Sequence, residues 1–470
     1  MPKYFDVHNH LFNKNFLAKE LLYRMMKEMK NFMHKEQEIS RGFEDSERGI
    51  KSTIQTLKRY SKALKVFTRK NSIAVYKELD KTYKGEFILT PLTFDLTYCF
   101  APSADRGAGE DQEPTVAEVF ESEINSMFET VEQGSRKLSR DFNRESTAEE
   151  DALWKEYQME KENFLKSTRE FGENIEPEVG AQERGIFKKT TQRDGWEEQL
   201  RQIIELKEHP DYKDIVFPFL AIDPRRPGIT EYAKENVGKG KLFAGIKLYC
   251  PNGYSPTDPV LFGSNGQKDG LYAFCEERGI PVTAHNSDGG FATLAKSVFV
   301  SGLIHVNGKL HQLDNERLIF TKSILEKEAV YERALTLNHP LIWGKVAEKY
   351  PKLILNLAHF GGGQQLNAAV ENPDDITLWS NRIIELVKDK RYNVYTDISC
   401  FSDFEIIKKF AESQIFTDIK KKVLYGSDYT LLLFFENDFD ENLKQFRQCF
   451  GDNFDVIASE NPQVFLKNVI

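Results

Sequence analysis

Residues 353–363 read LILNLAHFGGG: an unbroken apolar run that closes on a histidine and three glycines. Continuous rather than alternating apolarity is the pattern of a strand buried on both faces, as in a parallel sheet with helices packed against it. The flanking residues agree. LIWGKVAEKYP (341–351) precedes the run and DITLWSNRIIELVKDK (375–390) follows it, both with helical spacing. Pro351 stands just past the first of these helices, where a residue that cannot continue a helix is expected.

Seven similar runs lie elsewhere, each ending in polar residues. They are YFDVHNH (4–10), EFILTPLTF (86–94), IVFPFLAIDPRR (215–226), LFAGIKLYCP (242–251), IPVTAHNSDGG (280–290), NVYTDIS (393–399) and KVLYGSDYT (422–430). GLYAFCEERG (270–279) and FEIIKKFAES (404–413) supply helices before the fifth and the eighth. Eight strands alternating with helices predict an α/β fold, a (β/α)8 TIM barrel, with a doubly wound sheet as the fallback.

Such a barrel needs roughly 250 residues, and the chain has 470, so the surplus is expected as insertions into a single barrel spanning 1–470. The first covers about 13–84 and contains FLAKELLYRMMKEMKNFM (16–33), whose Met-rich apolar stripe is expected to pack against the barrel mouth. The second, about 100–205, opens on the loop-like APSADRGAGEDQEP (101–114). Ser146 and Glu149 then form a capping-box pattern before a helix bearing Trp154, Tyr157, Phe164 and Leu165. The third, about 291–335, holds LIHVNGKLHQL, where Asn307-Gly308 signals a two-residue hairpin. His305 and His311 on that hairpin are expected to be structural or surface residues. His34, His209 and His339 carry no assigned role.

A net charge of −9 gives no electrostatic case for nucleic acid or an anionic membrane. No apolar stretch approaches the roughly 20 residues of a membrane helix. The N-terminal residues do not read as a secretory leader, and five scattered cysteines suggest neither a disulfide framework nor a zinc knuckle. A cytoplasmic protein is expected.

The strand ends carry the chemistry. On the first strand Asp6, His8 and His10 share one face, since alternate residues of a strand point the same way. Lys247 ends the fourth strand, His285 the fifth, His359 the sixth and Asp428 the eighth. Strand ends of a barrel converge on one mouth. A hydrolytic metal site wants about three protein ligands with an open position for water, and a carboxylate beside that water to take its proton.

At this point the chain resembles the amidohydrolase superfamily, in particular its "amidohydrolase 2" group of metal-dependent hydrolases and decarboxylases. The resemblance rests on DVHNH, GIKLY, VTAHN, LAHFGGG, YGSDY and the closing ENPQVFL. It implies His8, His10, His285 and Asp428 as metal ligands, with Asp428 also accepting the water's proton. It implies His359 as the residue that polarises the substrate or stabilises developing charge. In binuclear relatives a lysine at the position of Lys247 is carboxylated and bridges two ions, with His285 and His359 on the second. Otherwise Lys247 is a cation for a substrate carboxylate, or merely a strand-end lysine. One Zn²⁺ is the default, and Mn²⁺, Fe²⁺ or Ni²⁺ suit the same donors.

The expected activity is hydrolysis of an amide, ester or lactone of a small molecule, such as a carboxylic acid derivative. A metal-dependent non-oxidative decarboxylase of the same group is the alternative, and a non-catalytic ligand- or partner-binding barrel is the third reading. Arg225, in DPRRPG after the third strand, is a candidate for holding a substrate carboxylate. Asp6 is a candidate for orienting a histidine, and Asp397 for touching substrate or capping a loop. The oligomeric state is not legible in the residues.

Overall fold

A computed structural model of the chain describes residues 2–13, 43–99, 148–173, 195–264, 266–322, 328–435 and 438–470. All eight apolar runs contain strands. They are β1 (Tyr4–Asn9), β2 (Phe87–Pro91), β3 (Phe219–Ile222), β4 (Gly245–Leu248) and β5 (Val282–Ser287), followed after a hairpin of β6 (Ser297–Val306) and β7 (Lys309–Ile319) by β8 (Leu355–Gly361), β9 (Val394–Asp397) and β10 (Val423–Leu424). Every residue of β3, β4, β5, β8, β9 and β10 is buried, the physical reason their sequences lack alternation.

The architecture is α/β around a central parallel sheet. Six strands pair in the order β10-β9-β8-β5-β4-β3, and β1 pairs with β2 in a separate parallel pair. The ladders therefore stop short of the continuous eight-stranded ring expected from the sequence. A few backbone hydrogen bonds link the two sheets at both sides. Leu89 N donates to Ile215 O (2.8 Å) and Phe217 N to Leu89 O (2.8 Å) near β2 and β3; Val7 N donates to Tyr425 O (3.1 Å) and Asp428 N to His8 O (2.7 Å) near β1 and β10. The last two bonds put the first strand beside the GSD segment that ends the last.

Helices from the first two expected insertions pack together. Helix α1 (Phe43–Phe67) packs along α3 (Ala148–Glu173), with Lys58 Nζ 2.7 Å from Glu156 Oε1. Helix α2 (Ser72–Tyr83) lies against α4 (Gly195–Glu208), where the Gln202 side chain accepts from Ser72 N at 3.0 Å. Tyr157 and Phe164 are buried, and Trp154 and Leu165 pack partly buried on the same core, as the helical spacing predicts. The rings of Tyr60 and Phe67 both contact Phe434, a few residues beyond Asp428. The Met-rich stretch 16–33, the loop 101–114, His34 and Ser146 of the capping box lie outside the described residues. No helix among the described residues is long and apolar enough to cross a membrane.

The hairpin forms where Asn307-Gly308 predicts it, with φ of 49° and 76° at these residues and Val306 paired to Lys309. It docks through His305, whose ring stacks on His339 with centroids 3.9 Å apart and planes 7° from parallel. His311 is exposed. His339 Nδ1 accepts from Leu341 N at 3.2 Å, capping the helix Pro340–Lys349, so it must stay unprotonated there. Burial, with His305 and Arg382 adding to it, pushes the His339 imidazole down to about 3.

The folded state thus binds fewer protons than the unfolded chain between about pH 3 and 6.5, and stability is lost as pH falls through this window. Between pH 7 and 5.5 this group alone is expected to lower unfolding free energy by about 1 kcal/mol. Urea midpoints at the two pH values measure it. His339→Asn, which keeps a capping oxygen and cannot protonate, should flatten the dependence.

Candidate metal centre

The strand period places His8 and His10 on one side of β1, and both are buried. His8 Nδ1 lies 3.0 Å from Asp397 Oδ2, which turns its Nε2 toward Lys247 Nζ (3.3 Å) and Asp428 Oδ1 (3.8 Å). His10 Nδ1 bonds to Leu92 O at 2.8 Å, and its Nε2 sits 3.3 Å from the same Asp428 oxygen. His359 follows from the end of β8, its ring 4.6 Å from that of His8. His359 (φ 64°) and Asp428 (φ 54°) both hold left-handed backbone conformations, uncommon for residues other than glycine and concentrated where structure is bent to a task.

The six strand-end residues gather, but not all in the roles the sequence suggests. Among the described residues, His8, His359 and Asp428 present ligand atoms that all lie within 4.8 Å of one another. His359, expected to act on substrate, thus stands as close as the expected ligands. His285 sits at the edge: its ring is 4.7 Å from that of His359 and stacks on Tyr249 at 4.2 Å, while its Nε2 bonds Gly289 O at 3.0 Å.

Lys247 is buried in the cluster, and burial pulls its ammonium down to about 8 although Asp428 and Asp397 raise it. Burial would raise the Asp428 carboxyl, yet the charges around it, the Lys247 ammonium among them, hold it below its ordinary range.

Two expectations change. Arg225 does not offer an open guanidinium: its Nε and one terminal nitrogen grip Asp223 at 2.8 and 2.6 Å, and the latter also donates to Asn252 O at 3.1 Å. Asp223, two residues before it, takes one edge of the fork, so a substrate carboxylate would meet only the remaining terminal nitrogen. Among the described residues, Asp6 touches no histidine ring. It accepts from Ser427 Oγ (2.6 Å), Ser427 N (3.0 Å), Tyr83 Oη (2.8 Å) and His8 N (3.2 Å), tying β1 to the GSD segment. The carboxylate that orients a ring is Asp397, which the sequence offered only as a loop cap or substrate contact. Ser399, within hydrogen-bond distance of His8 and His359, was not singled out; its place in the DIS motif two residues past Asp397 was the available signal.

Whether these residues fit a metal can be judged from one atom. Among the described residues, the buried Asp428 Oδ1 has no hydrogen-bond partner. The Leu92 carbonyl can only accept, so His10 carries its proton on Nδ1 and aims a lone pair from Nε2 at that oxygen. Burial pushes His10 down to about 3, so it is neutral. Two electron-rich atoms 3.3 Å apart in a buried site repel unless a cation lies against both. The donor set of imidazole nitrogens and one carboxylate suits a divalent metal.

The family match agrees with this class of site. A family model described as amidohydrolase matches residues 142–458, and the chain belongs to that family, whose members generally bind divalent metals. No curated protein matches the sequence.

Among solved structures it is similar to a 2,6-dihydroxybenzoate decarboxylase from Rhizobium at 13% identity and a TM-score of 0.34, over 57% of this chain and 75% of that one. A probable 2-pyrone-4,6-dicarboxylic acid hydrolase from Acinetobacter baumannii gives 13% and 0.32, over 58% and 78%. A dihydroorotase from Campylobacter jejuni gives 17% and 0.23, over 53% and 69%. These likenesses are distant, and the chemistry is read from the residues themselves.

Proposed function

We propose that the protein is a metal-dependent hydrolase that cleaves an amide, ester or lactone of a small molecule, with 1–470 forming one (β/α)8 catalytic unit elaborated by its insertions. The observation that carries this reading is the buried, partnerless Asp428 Oδ1 faced by the Nε2 atoms of His8 and His10. His8, His10, His285 and Asp428 would hold one Zn²⁺, with His359 close enough to share; a carboxylated Lys247 with His285 and His359 would hold a second. Such an ion supplies Lewis acidity and lowers the pKa of water from about 15.7 to near 7.

The chain's own residues do the rest. Asp428 takes the proton of the attacking water at its carboxylate. His359 hydrogen-bonds the oxygen on which charge develops. Lys247, if not carboxylated, holds a carboxylate of the substrate. Each of the five cysteines keeps its thiol, in keeping with a cytoplasmic location.

The test is a panel of carboxylate-bearing amides, esters and lactones, run with metal-loaded and chelated protein in ¹⁸O water. Hydrolysis puts solvent oxygen into product. Release of CO2 from an unsaturated or aromatic acid would move the assignment to the decarboxylases, and no turnover by loaded protein would leave a binding barrel. Chelation is also expected to lower stability: metal at 100 times its Kd adds about 2.7 kcal/mol to unfolding, read as a drop in the urea midpoint on metal removal.

A further inference from the structure

We infer that Asp397 and Ser399 form one positioning pair that fixes the tautomers of His8 and His359 together. The inference rests on the metal-centre reading only for its consequence; the hydrogen bonds themselves dictate the tautomers.

The protons can be counted. Asp397 is buried and surrounded by donors. Its Oδ2 accepts from Asn356 Nδ2 at 2.7 Å and faces His8 Nδ1 at 3.0 Å. Its Oδ1 accepts from His359 N at 3.0 Å, Ser399 N at 3.2 Å and Ser399 Oγ at 2.5 Å. Three obligate donors, Asn356 Nδ2, His359 N and Ser399 N, converge on its two oxygens, so both oxygens act as acceptors.

Oxygens 2.5 Å apart need a proton between them, and the Ser399 hydroxyl has only one. That proton therefore goes to Asp397, leaving Ser399 Oγ an acceptor. His359 Nδ1 lies 2.9 Å from this Oγ and 3.3 Å from Ser399 O, both acceptors, so Nδ1 carries the ring proton. His8 Nδ1 faces the carboxylate and the same Oγ, at 3.1 Å, and carries its proton for the same reason.

Both rings then turn lone pairs on Nε2 into the cluster with Asp428. One carboxylate acts on His8 directly and on His359 through a hydroxyl. Partners of this kind, which set ring orientation and basicity, are worth roughly 10–100-fold in metal affinity.

The substitution Asp397→Asn makes the claim sharp. The amide oxygen must take the side that accepts three donors, which leaves its NH2 toward His8. His8 Nδ1 would then have to accept, moving the ring proton to Nε2, where it blocks a cation. Ser399→Ala removes the nearer acceptor for His359 and leaves only the Ser399 carbonyl at 3.3 Å, and Ser399→Thr restores a hydroxyl.

Chelator competition with Co²⁺, on proteins whose metal-free urea midpoints are matched, gives the first readout. Asp397→Asn is expected to bind roughly 10–100-fold more weakly than wild type and Ser399→Ala about tenfold more weakly, with Ser399→Thr within about threefold. If Asp397→Asn does not fold, Ser399→Ala against Ser399→Thr decides. Variants that bind within about threefold of a wild type that takes up metal overturn the inference and leave the metal centre standing.

Wild type that binds no metal removes the metal reading instead. The tautomers are then read from ¹⁵N-histidine NMR of the metal-free protein. Nδ1–H at both residues supports the pair, and Nε2–H at either one refutes it.

Discussion

Asp428→Asn is expected to lower turnover by roughly 10²–10⁴-fold, the range that follows loss of a positioned acid–base group, while making the metal-free protein more stable. The two effects share one cause. In the native chain Asp428 Oδ1 is buried without a partner, opposite the Nε2 lone pairs of His8 and His10. An asparagine of the same shape can turn its NH2 to those nitrogens and satisfy the cluster with no cation, and it tolerates the left-handed backbone at this position.

Relieving one buried unsatisfied group is worth about 1–3 kcal/mol. Urea unfolding in the presence of chelator should therefore give a higher midpoint for the variant, and metal titration a weaker affinity. A variant less stable than wild type without metal would mean that Asp428 is held by contacts other than these, and the argument from the orphaned oxygen would fail.

Gly426→Ala should damage the site although it adds only a single methyl group. A Cβ there would fall 2.5 Å from His8 Cβ, 3.1 Å from Ser399 Cβ and 3.2 Å from His8 N. None of these is the end of a flexible side chain, so β1 or the GSD segment must shift. Overpacking of this kind typically costs about 1–3 kcal/mol. The shift falls on His8 and on the serine beside it, so metal affinity should drop by tenfold or more, about 1.4 kcal/mol.

Gly308→Ala at the hairpin tip is the control. Its φ of 76° makes alanine unfavourable by about 1 kcal/mol, and no atom lies within 4 Å of the added methyl, so stability should fall with metal binding unchanged. Equal metal affinity in wild type and Gly426→Ala would show that the GSD segment does not set the position of His8.

The expectations that held are those carried by local pattern. Continuous apolar runs became fully buried strands because a parallel sheet covered on both faces leaves no solvent side to mark with polar residues. The i, i+2 spacing put His8 and His10 on one face of β1, and Asn307-Gly308 made its turn. The expectations that moved depend on neighbours distant in sequence or on how one side chain is spent. Asp397, 389 residues from His8, orients that ring, whereas Asp6, two residues away, serves Ser427 and Tyr83. Arg225 turns back onto Asp223, and His285 gives its Nε2 to Gly289 O.

Residue order alone therefore determined which segments become strands, which strand ends carry imidazoles, amine and carboxylate, and that these belong to the amidohydrolase family. Only the folded arrangement decided which atoms face one another: that Asp428 Oδ1 meets two lone pairs, that His359 stands within ligand distance, and that one buried carboxylate serves two rings. The reason is physical. Backbone periodicity fixes the face of a strand within a few residues, but the direction of a ring nitrogen is fixed by hydrogen-bond partners that only packing brings within 3 Å.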